Sequence, residues 1–240
     1  MLVRYLSSVY LTDIGVREAY LGFVNFLGIP WNFKFLWAPA VDLFATRRKW
    51  LLVVELALVA GFAIVGLLAA AGPDVTAGTA APAADGMQSL AVRSTIVLLV
   101  MLAFLSATHD IAIDGFYMEA IDDPTRQAAY TGLRVLAYRL AVIFTKSVLV
   151  AMAGWVSWTA GWIGGAAALG LLLLYHWRML PNPTGADRTA RDGAAIARDW
   201  GRAFTIYLSQ PRAWLVLLFV VTYKLGDEVL FSMNTPFLMR

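Results

Sequence analysis

The chain contains no cysteine, which excludes disulfides, thiolate metal sites and cysteine nucleophiles. Histidine is scarce too. His109 and His176 are the two present, and His176, near an expected membrane boundary, is expected to add no second ligand group to a histidine-rich site. Charge is thin: 15% of the 240 residues are charged against 60% hydrophobic. A soluble domain carries about a quarter charged residues, and a mean hydropathy of +0.68 instead describes a membrane protein. The net charge of +3 and isoelectric point near 9.3 follow from cytoplasmic lysines and arginines that orient membrane spans, so no nucleic-acid partner is expected. Met1 to Asp13 includes Arg4 but no apolar core or small-residue cleavage site, and does not read as a secretory signal.

What is present is a series of long apolar runs. A helix needs about 20 mainly apolar residues to cross the hydrocarbon core, and six segments qualify: 18–41, 50–71, 92–118, 130–153, 157–178 and 212–238. Short connections make most neighbours antiparallel. The stretch GPDVTAGTAAPAADG, rich in glycine, proline and small residues, reads as a loop. Between Pro181 and Pro211, AIARDWGRAFTIYL places Ile196, Trp200, Phe204 and Tyr207 on one helical stripe, with Arg188, Arg191, Arg198 and Arg202 mostly off it. That pattern predicts a basic amphipathic helix on a membrane surface.

Basic residues assign the sides. Arg47, Arg48, Lys49, Arg126, Arg178, Arg188, Arg191, Arg198, Arg202 and Arg212 fall together; the opposite side has Arg4, Arg17, Arg93 and Arg240. The richer side is cytoplasmic. The first span then enters from outside and the sixth ends outside, so both ends read as cut. A preceding helix is expected, with VRYLSSVYL its tail or the loop after it, and further chain is expected after NTPFLMR.

Ionisable groups inside spans are costly and usually face a partner or water. Lys34 lies in PWNFKFLWAP; His109, Asp110 and Asp114 in SATHDIAIDGFYMEA; Arg134, Arg139 and Lys146 in the fourth span; Lys224, Asp227 and Glu228 in the sixth. Asp110 and Asp114 share a helix face, with Tyr117 one turn further on. Two desolvated carboxylates on one face suit reversible proton binding; the alternative is pairing with Arg134 or Arg139 that holds the bundle together. A divalent metal held by His109, Asp110 and Asp114 is a third reading, weakened because His109 points about 100° from Asp110. His109 reads better as a hydrogen-bonded packing histidine. Lys224, Asp227 and Glu228 are spaced to neutralise one another, and a central cavity explains so many buried charges. Trp31, Phe33, Phe35 and Trp37 suit either sugar stacking or helix packing and lipid contact. Gly161 and Gly165 form a GxxxG packing motif, and Pro30 and Pro39 interrupt the first span, as in the broken helices that border transporter sites.

FKFLWAPAVDLF, RRKWLL, SATHDIAIDGFYMEA, GLRVLAYRL and YKLGDEVLFSMNTPFL, in this order, resemble the AmpG-like permeases of the major facilitator superfamily, and some of these pieces also resemble the related acetyl-coenzyme A transporter family. The resemblance implies an all-α membrane helix bundle whose six spans correspond to helices two to seven. It divides the chain into residues 1–178, an N-terminal bundle lacking its first helix; 179–211, a cytoplasmic linker with an amphipathic helix; and 212–240, the first helix of an incomplete C-terminal bundle.

The same resemblance implies a proton-coupled importer of anhydro-muropeptides or a similar sugar or peptide solute in the bacterial inner membrane. Asp110 and Asp114 would couple protons. Lys34, His109, Tyr117 and Arg134 would contact substrate, as would Tyr138, Arg139, Lys224 and Asp227. Asp42, Arg47 and Arg48 resemble the superfamily's cytoplasmic gating loop, although Leu43 stands where an arginine is usual and Ala45 and Thr46 replace the glycine spacing. His109 stands where AmpG-like sequences often have glutamine. The expected partners are a small solute, protons and the lipid bilayer, with self-association if the chain is complete as given; no cofactor or metal is called for, and no enzymatic activity is expected. The competing readings are an acetyl-coenzyme A-type transporter, an intramembrane metal-dependent enzyme, and a non-transporting fragment or assembly partner.

Overall fold

A computed structural model describes residues 2–14, 26–43, 46–71, 90–121, 123–181, 193–219 and 222–223. Together the described residues form the expected all-α membrane bundle. Among the described residues, four helical stretches are long and apolar enough to cross a membrane: Arg47–Ala71, Arg93–Ala120, Pro124–Trp155 and Trp158–Met179. They correspond to the second to fifth expected spans, each within a few residues at most ends.

The first expected span is only partly described, and the described part is broken. After α1 (Leu2–Asp13), α2 (Ile29–Phe33) passes into a single 3-10 turn, Lys34–Leu36, and then into α3 (Ala38–Leu43). Pro30 sits in the first turn of α2 and Pro39 in that of α3, where the missing N–H costs nothing; each proline starts a short helix and prevents one continuous helix from forming through it. The segment VRYLSSVYL is helical, as part of α1. Of the sixth expected span, residues 213–219 are helical, while Lys224, Asp227 and Glu228 lie outside the described residues.

The core is built by α4 (Arg47–Ala71), α5 (Leu90–Ala120) and α8 (Trp158–Met179). On α4 the buried positions Leu51, Val54, Leu58, Phe62 and Val65 recur every three or four residues, forming one stripe that packs on both α5 and α8. Trp162 of α8 is fully buried, its ring edge-on to Phe62 at 5.3 Å and to Tyr10 of α1 at 5.9 Å. Trp158 donates its indole N–H to Asp13 Oδ2 at 2.6 Å, fastening the end of α1 to the start of α8.

Two helix starts follow local chemistry. α6 (Pro124–Ile143) is capped by Asp123, whose side chain accepts the Thr125 N–H at 2.9 Å, with Pro124 as its first residue. It therefore begins six residues before the apolar run expected at 130. Ser157 caps α8 by accepting the Ala160 N–H at 3.1 Å. Between α6 and α7 (Val150–Trp155) the same span passes through a π-helical segment, Phe144–Leu149.

The glycines of the GxxxG motif sit in close contacts, Gly161 against a backbone carbonyl and Gly165 against a side chain. A Cβ on Gly161 would lie 3.0 Å from the Leu149 carbonyl oxygen and 3.1 Å from the Ala153 Cβ; one on Gly165 would lie 2.9 Å from Phe62 Cδ1. The Leu149 carbonyl belongs to the backbone and cannot swing aside, so Gly161→Val is expected to destabilise the bundle by about 1–3 kcal/mol through overpacking. Thermal unfolding in detergent reads this directly, and an unchanged midpoint would contradict the close contact.

Helix α9 (Gly193–Leu208) is the expected amphipathic helix. Its apolar stripe does not stand alone: Trp200 packs edge-on to Phe204 at 4.9 Å, and Phe204 meets Phe35 at 5.7 Å, so the helix lies against the broken segment and α3. Arg198 and Arg202 are exposed.

Candidate functional site

The break in the first expected span brings Lys34 onto α5. Its Nζ donates to Asp110 Oδ2 at 2.5 Å and to Asp114 Oδ2 at 3.3 Å. The two carboxylates are one helical turn apart, so a single ammonium with three N–H donors reaches both. Asp114 uses its other oxygen, Oδ1, to accept from Arg134 of α6. Two carboxylates thus meet two cations from two other segments, and the cluster is neutral overall.

Tyr117 lies one turn beyond Asp114, as the spacing predicted. Its ring lies under the Arg134 guanidinium, 4.5 Å from centroid to carbon, and its hydroxyl donates to the Gln127 carbonyl at 2.5 Å. Gln127 in turn donates to the Ile121 carbonyl at 2.6 Å, so the tight turn between α5 and α6 fixes the angle at which Arg134 approaches Asp114. These side chains are partly exposed: Lys34 retains 31% of its surface, Asp114 37%, Asp110 and Arg134 42% each. An open, water-reached cluster of this kind can exchange partners with an incoming solute.

The aromatic residues around Lys34 divide between packing and exposure. Trp37 donates its N–H to Thr108 Oγ1 at 3.1 Å and its ring meets Phe104 at 5.5 Å, Trp31 packs on the core, and Phe33 stays exposed. Tyr138 and Arg139 lie on the exposed face of α6, without an ion partner among the described residues. Lys146, in the π-helical segment, sits over the Tyr5 ring at 4.3 Å. Lys224 and Asp227 lie outside the described residues.

The basic residues of the expected gating loop fasten helix ends. Arg47 donates to the Gly115 carbonyl at 2.5 Å and stands 3.8 Å from Glu119. Arg48 donates to the carbonyls of Trp177 at 2.8 Å and Leu180 at 3.1 Å. The Arg48 guanidinium meets the C-terminal end of α8, where free carbonyls carry partial negative charge. Asp42 falls in α3, and its side chain lies outside the described residues.

His109 turns away from Asp110, as its helical phase requires, and its Nε2 lies 3.1 Å from Glu55 Oε1. His176 Nδ1 approaches the same oxygen at 2.7 Å. His109, Asp110 and Asp114 therefore do not converge on one point. What the sequence did not show is that His176 shares a partner with His109: α4 lies between α5 and α8 and supplies one carboxylate to both rings. Glu55 escaped sequence reasoning altogether, although LLVVELAL carries its signal, one acidic residue in an otherwise apolar run.

Residues 12–151 match the acetyl-coenzyme A transporter 1 family. The chain belongs to that family. It is 30% identical to the anhydromuropeptide permease of Escherichia coli strain K12, an alignment covering 97% of this chain and 44% of that protein. It is 26% identical to an uncharacterized protein of Haemophilus influenzae, over 96% of this chain and 51% of the relative. Identity to a putative transporter, AmpG 4, of Rickettsia felis is 22%, over 96% and 54%. The chain spans about half the length of the curated relatives it matches. As a member of this family it is a multi-pass membrane protein, and the family match covers Lys34, Glu55, His109, Asp110, Asp114 and Arg134; His176 lies beyond it.

Proposed function

We propose that the full protein is a secondary transporter of the major facilitator type that imports anhydro-muropeptides, or a similar sugar or peptide solute, across the inner membrane together with protons. The observation that carries this reading is the Lys34–Asp110–Asp114–Arg134 cluster, four charged groups from three segments on a partly open face of an apolar bundle. The relatives named as a permease and a putative transporter support it.

The cluster offers a direct route to coupling. An anionic group of the solute that takes Lys34 or Arg134 leaves Asp110 or Asp114 without its cation. A carboxylate left without its cation and beside the solute's anion holds a proton more tightly. Solute and proton thus enter as a pair, and release of both restores the neutral cluster. Tyr117 keeps the Arg134 guanidinium in place, while the exposed Phe33 offers a ring for sugar stacking. This is binding and release without bond-making, a transporter's chemistry rather than an enzyme's; the partners are the solute, the proton and the bilayer.

Uptake of labelled anhydro-muropeptide into inside-acceptor vesicles containing the full protein tests this. Accumulation is expected under an inward proton gradient and is expected to vanish when a protonophore collapses it. Uptake that persists unchanged without the gradient removes the coupling. The family match favours a second solute, acetyl-coenzyme A, whose phosphates would also seek Lys34 and Arg134; labelled acetyl-coenzyme A in the same vesicles decides between the two.

A further inference from the structure

Away from the Lys34 cluster, on the other side of α5, lies a second polar group that the transport reading does not use. Glu55 sits in the packing stripe of α4, between Leu51 and Leu58, and is 1% exposed. One of its oxygens, Oε1, is shared by His109 Nε2 and His176 Nδ1. The other, Oε2, is buried without a hydrogen-bond partner among the described residues. An acidic side chain in this position is costly unless its charge is balanced.

We propose that Glu55, His109 and His176 form a second proton-binding site that holds one exchangeable proton across the neutral pH range. With Glu55 ionised, both imidazoles present an N–H to Oε1, which fixes His109 as the Nε2 tautomer and His176 as the Nδ1 tautomer. The outer nitrogens, His109 Nδ1 and His176 Nε2, stay available, and the rings keep 18% and 22% of their surface exposed. Either can take a proton without breaking a hydrogen bond to Glu55. No added proton leaves the group at −1, one makes it neutral, and two place a pair of imidazoliums on a single oxygen. In a buried site the neutral, one-proton state is the cheapest of the three, and imidazole titrates in the physiological range, near about 6.5 when unperturbed.

The neighbouring charges do not supply the missing balance. Arg48, two turns back on α4, donates to carbonyls at the end of α8; Arg47 is on Gly115 and Glu119; Asp110, beside His109 on α5, is held by Lys34. From α8 the ring of Tyr175 lies 5.8 Å from that of His176. Among the described residues, then, the two histidines are the groups that reach the Glu55 carboxyl. The site holds its proton whatever solute the bundle carries.

Nuclear magnetic resonance of the full protein, labelled with nitrogen-15 histidine and held in lipid nanodiscs, tests this between about pH 5 and 9, a range that brackets the imidazole value. H109Q and H176Q assign the two sets of signals. Groups that interact strongly titrate as a pair, so both rings are expected to respond to one shared proton. In E55Q both midpoints are expected to move by about one pH unit, tenfold in proton affinity. H109Q, which keeps a donor for Glu55 but removes one titrating ring, is expected to move the His176 midpoint by a similar amount, and it serves if E55Q does not fold. Midpoints of His176 that match in native protein and H109Q would overturn the proposal, as would two independent protons on the two rings. Because the titration is read without solute, its failure leaves the transport reading standing, and loss of uptake with the titration intact has the reverse meaning.

Discussion

Replacing Lys34 by methionine is expected to lower solute uptake by tenfold or more, about 1.4 kcal/mol or above in binding terms, while leaving the protein folded in the membrane. Lys34 is the group that bridges Asp110 and Asp114, and its removal leaves two carboxylates one turn apart with Arg134 alone to balance them. Hydrogen bonds to charged groups contribute about 1.5–3 kcal/mol each. Lys34 and both aspartates are a third or so exposed, and solvent screening reduces the stability loss to about 1 kcal/mol. Uptake therefore suffers much more than folding. Lys34→Arg, which keeps the charge but not the compact ammonium that reaches both carboxylates, is expected to fall between native and Lys34→Met. Vesicle uptake alongside detergent melting checks both halves, and uptake by Lys34→Met within twofold of native would remove Lys34 from the site.

The largest loss of stability is expected at Trp162. This side chain is fully buried between Phe62 of α4 and Tyr10 of α1, where three helices meet. Truncation to alanine opens a cavity that the backbone contact at Gly161 keeps from closing, with a cost of about 3–5 kcal/mol. At about 2–4 °C per kcal/mol for a chain of this size, the melting midpoint in detergent falls by roughly 6 °C or more. Trp162→Phe is the informative contrast. The Trp162 Nε1 is buried without a hydrogen-bond partner among the described residues, so phenylalanine keeps ring packing and removes an unsatisfied donor; a loss under about 1.5 kcal/mol is expected. Equal losses for the two variants would mean that the ring does not fill the junction.

The spans were legible because a bilayer demands long apolar helices, and α4, α5 and α8 supply them as unbroken runs. Legible also were the breaks at Pro30 and Pro39, the turn-apart placing of Asp110 and Asp114, and the divergence of His109, each a matter of spacing along one helix. The early start of α6 was written as Asp123–Pro124, a cap and a first-turn proline, and hydropathy alone overlooked it. Partners across helices were another matter. That Lys34 would reach α5 and His176 would meet His109 depends on how α4 inserts between its neighbours, and no spacing within a single helix encodes that. Glu55 lay in plain sight, but a lone acid in an apolar run gains meaning only from the two rings that face it.

The π-helical segment Phe144–Leu149 joins an exposed half of the span, which carries Arg134 and buries no residue, to a half that packs into the core. Widening the turn inserts about one extra residue into the winding, which offsets the two halves by about 100°, the rotation per residue of an ordinary helix. Leu149 and Ala153 lie in the core, whereas residues 128–141 are all exposed. The span behaves as a rod with a built-in phase slip, so its two ends need not turn together. Arg134 therefore sits on a half of the span that the core does not enclose, while the other half is held beside the Trp162 junction.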